Sequence, residues 1–337
     1  MRSLFTVTAL ATTALAASRT SAPDDCLTVS ADGTGDHTTV QAAVDALSAD
    51  DPDPQCIFIA PGTYTEQVLV SDRAAARFTI YGHTEDDTSF AGNTVTITYH
   101  LSQADGLNND GTATLRVKAP NFRLYNVHVA NTYGEGSQAV ALSAYSDAGF
   151  YGSMFTGFQD TVLANEGTQI YLDTQILGAT DFIFGQRAVA WFERVDIRVV
   201  EKSLGYITAN GRDSPDGASY YVFDQSTISA AEGDNVPAGA YYLGRPWREY
   251  SRVVFQNTEM SEVINADGWH DWNGDPTDNV EYAEYGNTGP GAAGPRVSWA
   301  SQLSAPVTMS EVLGAYKCAG WFDASYYAGQ GAEVGSS

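Results

Sequence analysis

Short segments rich in β-branched and aromatic residues, each followed by glycine or a polar residue, recur through the middle of the chain. Three of them, 149–155, 169–176 and 190–197, end on Phe155, Ile176 and Ile197, which lie 21 residues apart. Looser copies end at Val129, Ile228 and Met260, so the six landmarks are separated by 26, 21, 21, 31 and 32 residues. Each segment reads as a strand followed by a turn. A solenoid accommodates such intervals, because its turns can lengthen without disturbing the stack. No helical period of similar strength runs through 112–260, which argues against an α/β barrel or a doubly wound sheet. The expected fold is all-β, a parallel β-helix.

A solenoid must cover its ends, or the last coil leaves apolar side chains and an unpaired edge in water. Val40, Ala43, Val44 and Leu47 fall at i, i+3, i+4 and i+7, preceded by Thr38 and Gln41 at capping-box spacing. This predicts a short helix lidding one end. Met309, Val312, Leu313 and Tyr316 suggest a second short helix over the other.

With 337 residues the chain is long for one globular core, but a solenoid grows by adding coils and no Pro/Ser-rich linker divides this one. One domain over 18–337 is expected. Residues 1–17 join a single positive charge to a modest apolar run and an Ala14-Leu15-Ala16 cleavage signature, the pattern of a secretory signal peptide. A secreted, extracellular protein follows. Three cysteines leave one thiol single: Cys26 and Cys56, which bracket the lidding helix, are expected to pair, with Cys318 buried and free. Three unpaired buried thiols are the alternative.

Seventeen basic against 41 acidic residues give a formal charge of −24, which opposes binding to nucleic acid or to an anionic membrane. The same surface repels a charged polyuronate, though not a neutral, esterified one.

The repeat also carries chemistry. Asp160 and Asp181 lie 21 residues apart, as do Gln138 and Gln159, so one coil of winding stacks carboxylate on carboxylate and amide on amide. At the strand spacing of about 4.8 Å two carboxylates rarely ionise together. Arg245 is the candidate cation to clamp one of them by two parallel hydrogen bonds and hold it anionic. An anionic Asp beside a protonated one pairs a nucleophile with a general acid, and two amides can stabilise an oxyanion. Gln159 and Asp160 are adjacent, so both serve one cleft only where the chain bends, for which Gly157 is the candidate. The insertions 211–217 and 231–239 are expected as groove walls, with Trp269 and Trp272 either lining the groove or packed under a loop.

These residues resemble the pectin methylesterases, most closely the fungal form, from about Val29 to Asp323. The resemblance rests on Ile176-Leu-Gly-Ala-Thr-Asp-Phe-Ile-Phe-Gly185, Gly157-Phe-Gln-Asp-Thr161, Gln138-Ala-Val-Ala-Leu142 and Tyr242-Leu-Gly-Arg-Pro-Trp247. It implies a right-handed parallel β-helix with no metal or organic cofactor, acting on methyl-esterified polygalacturonate and releasing methanol. Carried over by motif, it makes Asp181 the nucleophile, Asp160 the acid and then the base, Gln138 and Gln159 the oxyanion donors, Arg245 the partner of Asp181, and Trp247 a substrate-binding sugar platform. A monomer is expected.

Other constellations are weaker. Asp32-Gly-Thr-Gly35 lacks the third glycine of a dinucleotide fingerprint, no Gly-x-Ser-x-Gly elbow occurs, and the five histidines show no metal-binding spacing. A calcium-dependent lyase or polygalacturonase on the same fold, and a carbohydrate-binding solenoid without turnover, are the competing classes.

Overall fold

The computed structural model describes residues 17–329, so the expected leader, apart from its last residue, lies outside the described residues. Every pairing between its strands is parallel. The strands form three sheets of eleven, eight and seven members in which neighbours come from successive turns of the chain. One turn visits the eleven-stranded sheet at Ala148–Tyr151, the eight-stranded at Met154–Thr156 and the seven-stranded at Val162–Glu166; the next begins at Thr168–Leu172. This is the parallel β-helix that the repeat predicts.

Like stacks on like inside it. Val129, Phe155, Ile176, Ile197, Ile228 and Met260 are successive register partners, all buried. The row continues past the sequence landmarks to Ile97 and Tyr64. A second row, Phe150, Tyr171, Phe192, Phe223 and Phe255, stacks face to face with centroids 4.7, 4.4, 4.4 and 4.3 Å apart. Such pairs add to the burial of their area, so the periodic aromatics fix register as well as filling the core.

The turn leaving the eleven-stranded sheet is also periodic. Asn126, Gly152, Asp173, Arg194, Gln225, Asn257 and Gly286 each follow the last residue of their strand and take φ between 50° and 61°. That left-handed conformation suits Gly, Asn and Asp but costs other residues about 1–2 kcal/mol. At Arg194 the cost is opposed by a fork onto Asp173 one coil away, Nε–Oδ1 2.7 Å and Nη2–Oδ2 3.0 Å.

Both end-covering expectations need adjustment. The helix Val40–Ala46 does bury Val40, Ala43 and Val44, but its N-cap is Thr39, not Thr38. In place of a capping box, Glu66 reaches in from a neighbouring turn and accepts the N–H groups of Val40 and Gln41, each at 2.8 Å. The helix Met309–Leu313 exists but does not close the far end. Buried Val263, Ile264 and Trp269, with Ala292, Val297 and Trp299 against them, cover that end.

The segment from Val307 instead runs back along the outside of the eleven-stranded sheet. Met309, Leu313, Tyr316, Trp321 and Phe322 pack on Tyr125, Tyr151, Leu172, Trp191, Val222 and Val254. The outer face of that sheet is apolar enough to demand a cover, and this segment supplies it. It starts with Val307 paired to Gln256 by two 3.0 Å bonds and ends with Tyr326 Oη donating to the carbonyl of Thr88. Between them Arg123 donates to the carbonyls of Gly320 and Phe322.

Cys26 and Cys56 form the expected disulfide, fastening the first described strand, Leu27–Val29, to the next one in its sheet. Cys318 is free but exposed, contrary to expectation, because the short 3-10 turn Tyr316–Cys318 turns Tyr316 inward and leaves Cys318 outside.

Candidate active site

The seven-stranded sheet positions the chemistry. Gln138 precedes its strand Leu142–Tyr145, Asp160 precedes Val162–Glu166, Asp181 lies in Thr180–Gly185, and Arg245 follows Tyr241–Gly244. The side chain of Arg245 spans the intervening strand Gly205–Asn210 to reach Asp181. Ala209, on that strand, is small enough to leave the path open and lines the cleft floor.

The cleft has a volume of about 280 Å3 and is lined by Gln138, Gln159, Asp160, Asp181, Arg245 and Trp247, so all six residues singled out in the sequence face one space. The two adjacent residues Gln159 and Asp160 share it because the chain bends at Asp160 itself, where φ is 67°, not at Gly157. Asp181 matches it with φ 49°. Asp is among the few side chains that tolerate this region, so the same residue type supplies both carboxylate and bend. The two bends are held together by a bridge between Gln159 and Thr180 and by the amide of Asp160 donating to the carbonyl of Thr180 at 3.1 Å.

Asp181 is clamped by Arg245, Nε to Oδ1 at 2.9 Å and Nη2 to Oδ2 at 2.7 Å. Asp160 has no such fork. Both aspartates are buried, each residue 6 % exposed. Burial pushes Asp160 well above the usual carboxylate range and the charge of Asp181 pushes it further. Burial pushes Asp181 up as well, so the sequence expectation that Arg245 would hold it down holds only in part: the guanidinium opposes the rise without cancelling it. The ordering survives: Asp160, without a fork, is pushed further up than Asp181, which is paired with a guanidinium.

Gln138 and Gln159 are half-buried at the edge of the cleft. Their main chains are tied together, the amide of Ala139 donating to the carbonyl of Gln159 at 3.1 Å. Trp247 packs at 6.1 Å, centroid to centroid, from Phe184 and over Gly211, where a Cβ would come within 2.8 Å of the indole. The close approach therefore requires glycine at 211. The loop 211–217 does wall the groove beside Trp247, whereas 231–239 packs elsewhere: Gly239 accepts from Asn265, and Ala231 and Glu232 line a separate hollow. Trp269 is wholly buried in the core, while Trp272 lines the cleft.

Gln103 and Asn109 of the cleft, and Tyr206 beside Arg245, escaped the sequence reading. Tyr206 and Trp272 lie 4.0 and 4.1 Å, ring centroid to guanidinium carbon, from Arg245. Gln103 and Asn109 bond to each other at the rim from an insertion with no counterpart in other coils. Tyr206 pairs in register with Thr180, so winding the repeat one coil further, across the longer turn, would have found it. Gln103 and Asn109 offer no such signal. Among the described residues no cluster of His, Cys, Asp and Glu has the arrangement of a metal site, and no helix is long and apolar enough to cross a membrane.

The family model described as Pectinesterase matches residues 26–314. The pectinesterase of Aspergillus niger is 49% identical over 331 residues, 97% of this chain and 99% of that protein. That of Aspergillus aculeatus is 50% identical over 334 residues, 97% of this chain and 100% of that one. Among solved structures, the pectin methylesterase from Aspergillus niger superposes with a TM-score of 0.86 at 40% identity, covering 92% of this chain and 100% of that one. The enzyme from carrot gives 0.78 at 31%, covering 91% and 98%.

Proposed function

The chain belongs to the pectinesterase family, a carboxylic ester hydrolase acting on pectin, and from that premise we propose how its cleft performs the demethylation. Asp181 attacks the carbonyl carbon of the C6 methyl ester, and its lone pair forms the new C–O bond as the carbonyl oxygen takes the negative charge. The side-chain amides of Gln138 and Gln159 donate to that oxyanion. As the tetrahedral centre collapses the bond to methoxide breaks, Asp160 gives its proton, and methanol leaves. An anhydride between Asp181 and the uronyl group remains. Asp160, now ionised, takes a proton from water, whose oxygen attacks the uronyl carbon to release the free acid and restore Asp181. Trp247 offers its face to a sugar ring.

The observation that carries this reading is the asymmetry of the carboxylate pair. One buried Asp is forked by a guanidinium, and the other, without a fork, is pushed well above the usual carboxylate range by burial and by its neighbour's charge. A lyase would need a basic proton acceptor beside calcium carboxylates, a different set of groups.

The test is methanol release from highly esterified pectin. Asp181→Asn is expected to fall to background, and Asp160→Asn by about 10²–10⁴-fold. Hydroxylamine present during turnover is expected to divert part of the product to the uronyl hydroxamate in an enzyme-dependent manner, since it attacks the same uronyl carbon as water and expels the Asp181 carboxylate. Wild-type turnover by Asp181→Asn would overturn the assignment.

We also propose that the protein acts outside the cell as a monomer, in one domain. The Cys26–Cys56 disulfide suits an oxidising compartment, and both ends of the solenoid are covered by the chain's own residues.

A further inference from the structure

Lys202 is one of only three lysines in a chain of net charge −24. Its ammonium lies 4.9 Å from the ring centroid of Phe158 and 3.3 Å from a carboxylate oxygen of Glu135. Phe158 precedes Gln159, and its carbonyl accepts the amides of Ala179, at 2.7 Å, and Thr180, at 3.3 Å. The lysine therefore stands at the beginning of the strand that carries Asp181, and its charge reaches that carboxylate. Trp247 packs on Phe184, towards the other end of the same strand. Lys202 and Trp247 thus flank Asp181 on opposite sides, one cationic and one aromatic.

Glu135 is poorly held. Its side chain is 70% exposed, and it sits between Gly134 at φ 88° and Gly136 at φ 117°, where an added Cβ would meet nothing within 4 Å. Among the described residues Glu135 is the one hydrogen-bond acceptor of the Lys202 ammonium, which carries three N–H donors. An exposed pair of this kind is worth about 1 kcal/mol or less, so a ligand carboxylate can take the place of Glu135 at small cost. Exposed Tyr133 and Leu204, on the loops bearing Glu135 and Lys202, give a sugar ring an apolar edge to lie on.

We propose that Lys202 is a specificity residue that binds the free carboxylate of the galacturonate next to the one being demethylated, on the Phe158 side, with Glu135 as an internal competitor for the ammonium. This rests on the reading of the cleft given above and adds a preference to it: against the general repulsion of the acidic surface, one subsite favours a sugar already demethylated.

The experiment compares kcat and KM on fully esterified pectin and on pectin with half its esters removed. Lys202→Met is expected to lower the ratio of kcat/KM on the half-esterified over the fully esterified substrate about fivefold, through KM. Lys202→Arg should restore most of the ratio. Glu135→Gln should shift it the other way, because the competitor is gone. An equal loss on both substrates with Lys202→Met, or a Glu135→Gln ratio that falls, would overturn the proposal and leave Lys202 a packing residue over Phe158. The ratio divides out the chemical step, so this failure is distinct from failure of the Asp181 assignment, which Asp181→Asn reads directly.

Discussion

The guanidinium of Arg245 lies 4.1 Å from the ring centroid of Trp272, a residue 27 positions further along the chain. The cation that clamps Asp181 is thus oriented by an aromatic face as well as by its carboxylate. Cation–π contacts of this kind contribute about 1 kcal/mol. Trp272→Ala is expected to lower kcat for methanol release about fivefold, and Trp272→Phe to recover most of the loss.

Arg245→Lys keeps the charge and loses the fork. A single ammonium cannot make the two parallel bonds now seen at 2.9 and 2.7 Å. A fall in kcat of about 100-fold is expected, with thermal stability nearly kept. The acidic limb of the pH–rate profile should move to higher pH, since a weaker partner leaves Asp181 easier to protonate.

The proposed mechanism requires Asp181 ionised and Asp160 protonated, so the rate should fall on the acid side as Asp181 gains a proton and on the alkaline side as Asp160 loses its own. Burial raises both, which places both limbs above the ordinary carboxylate range. The two apparent values belong to the pair. The linked effect on stability has a definite sign. A carboxyl whose folded-state pKa is raised lends stability that is fully present below the unfolded value and is lost as pH rises through the folded one. Asp160→Asn removes that loss. Its melting temperature relative to wild type is therefore expected to climb with pH, although the variant is catalytically impaired; differential scanning calorimetry across pH checks it.

The Cys26–Cys56 bridge closes a loop of 30 residues at the first described coil. The chain-entropy account gives about 3–4 kcal/mol for a loop of that size. The double Cys→Ser variant should lose about that much in denaturant unfolding, while the wild-type protein is insensitive to mild reductant only as long as the bridge stays closed.

Much of this was legible because a solenoid writes its geometry as a period. Phe155, Ile176 and Ile197 announce the stack, and the same interval puts Asp160 beside Asp181 and Gln138 beside Gln159. Trp272, Gln103 and Asn109 were not readable that way, since they come from insertions that have no partner in the next coil. The bend at Asp160 was also hidden, because the sequence shows a glycine nearby and the structure uses the aspartate. The path of residues 307–326 was misread for a related reason: Met309, Leu313 and Tyr316 declare an apolar face but not which surface it covers.

That path changes how the molecule should come apart. A row of coils joined only to their neighbours can fray from its tip, one unit at a time. Here a single strap is bonded near Gln256 at one end and near Thr88 at the other, so the first turns cannot loosen without releasing the grip on the later ones. Calorimetry should accordingly show one melting transition whose van't Hoff and calorimetric enthalpies agree. A chain cut before Val307 should instead unravel in stages, with hydrogen exchange fastest in the coils the strap had held down.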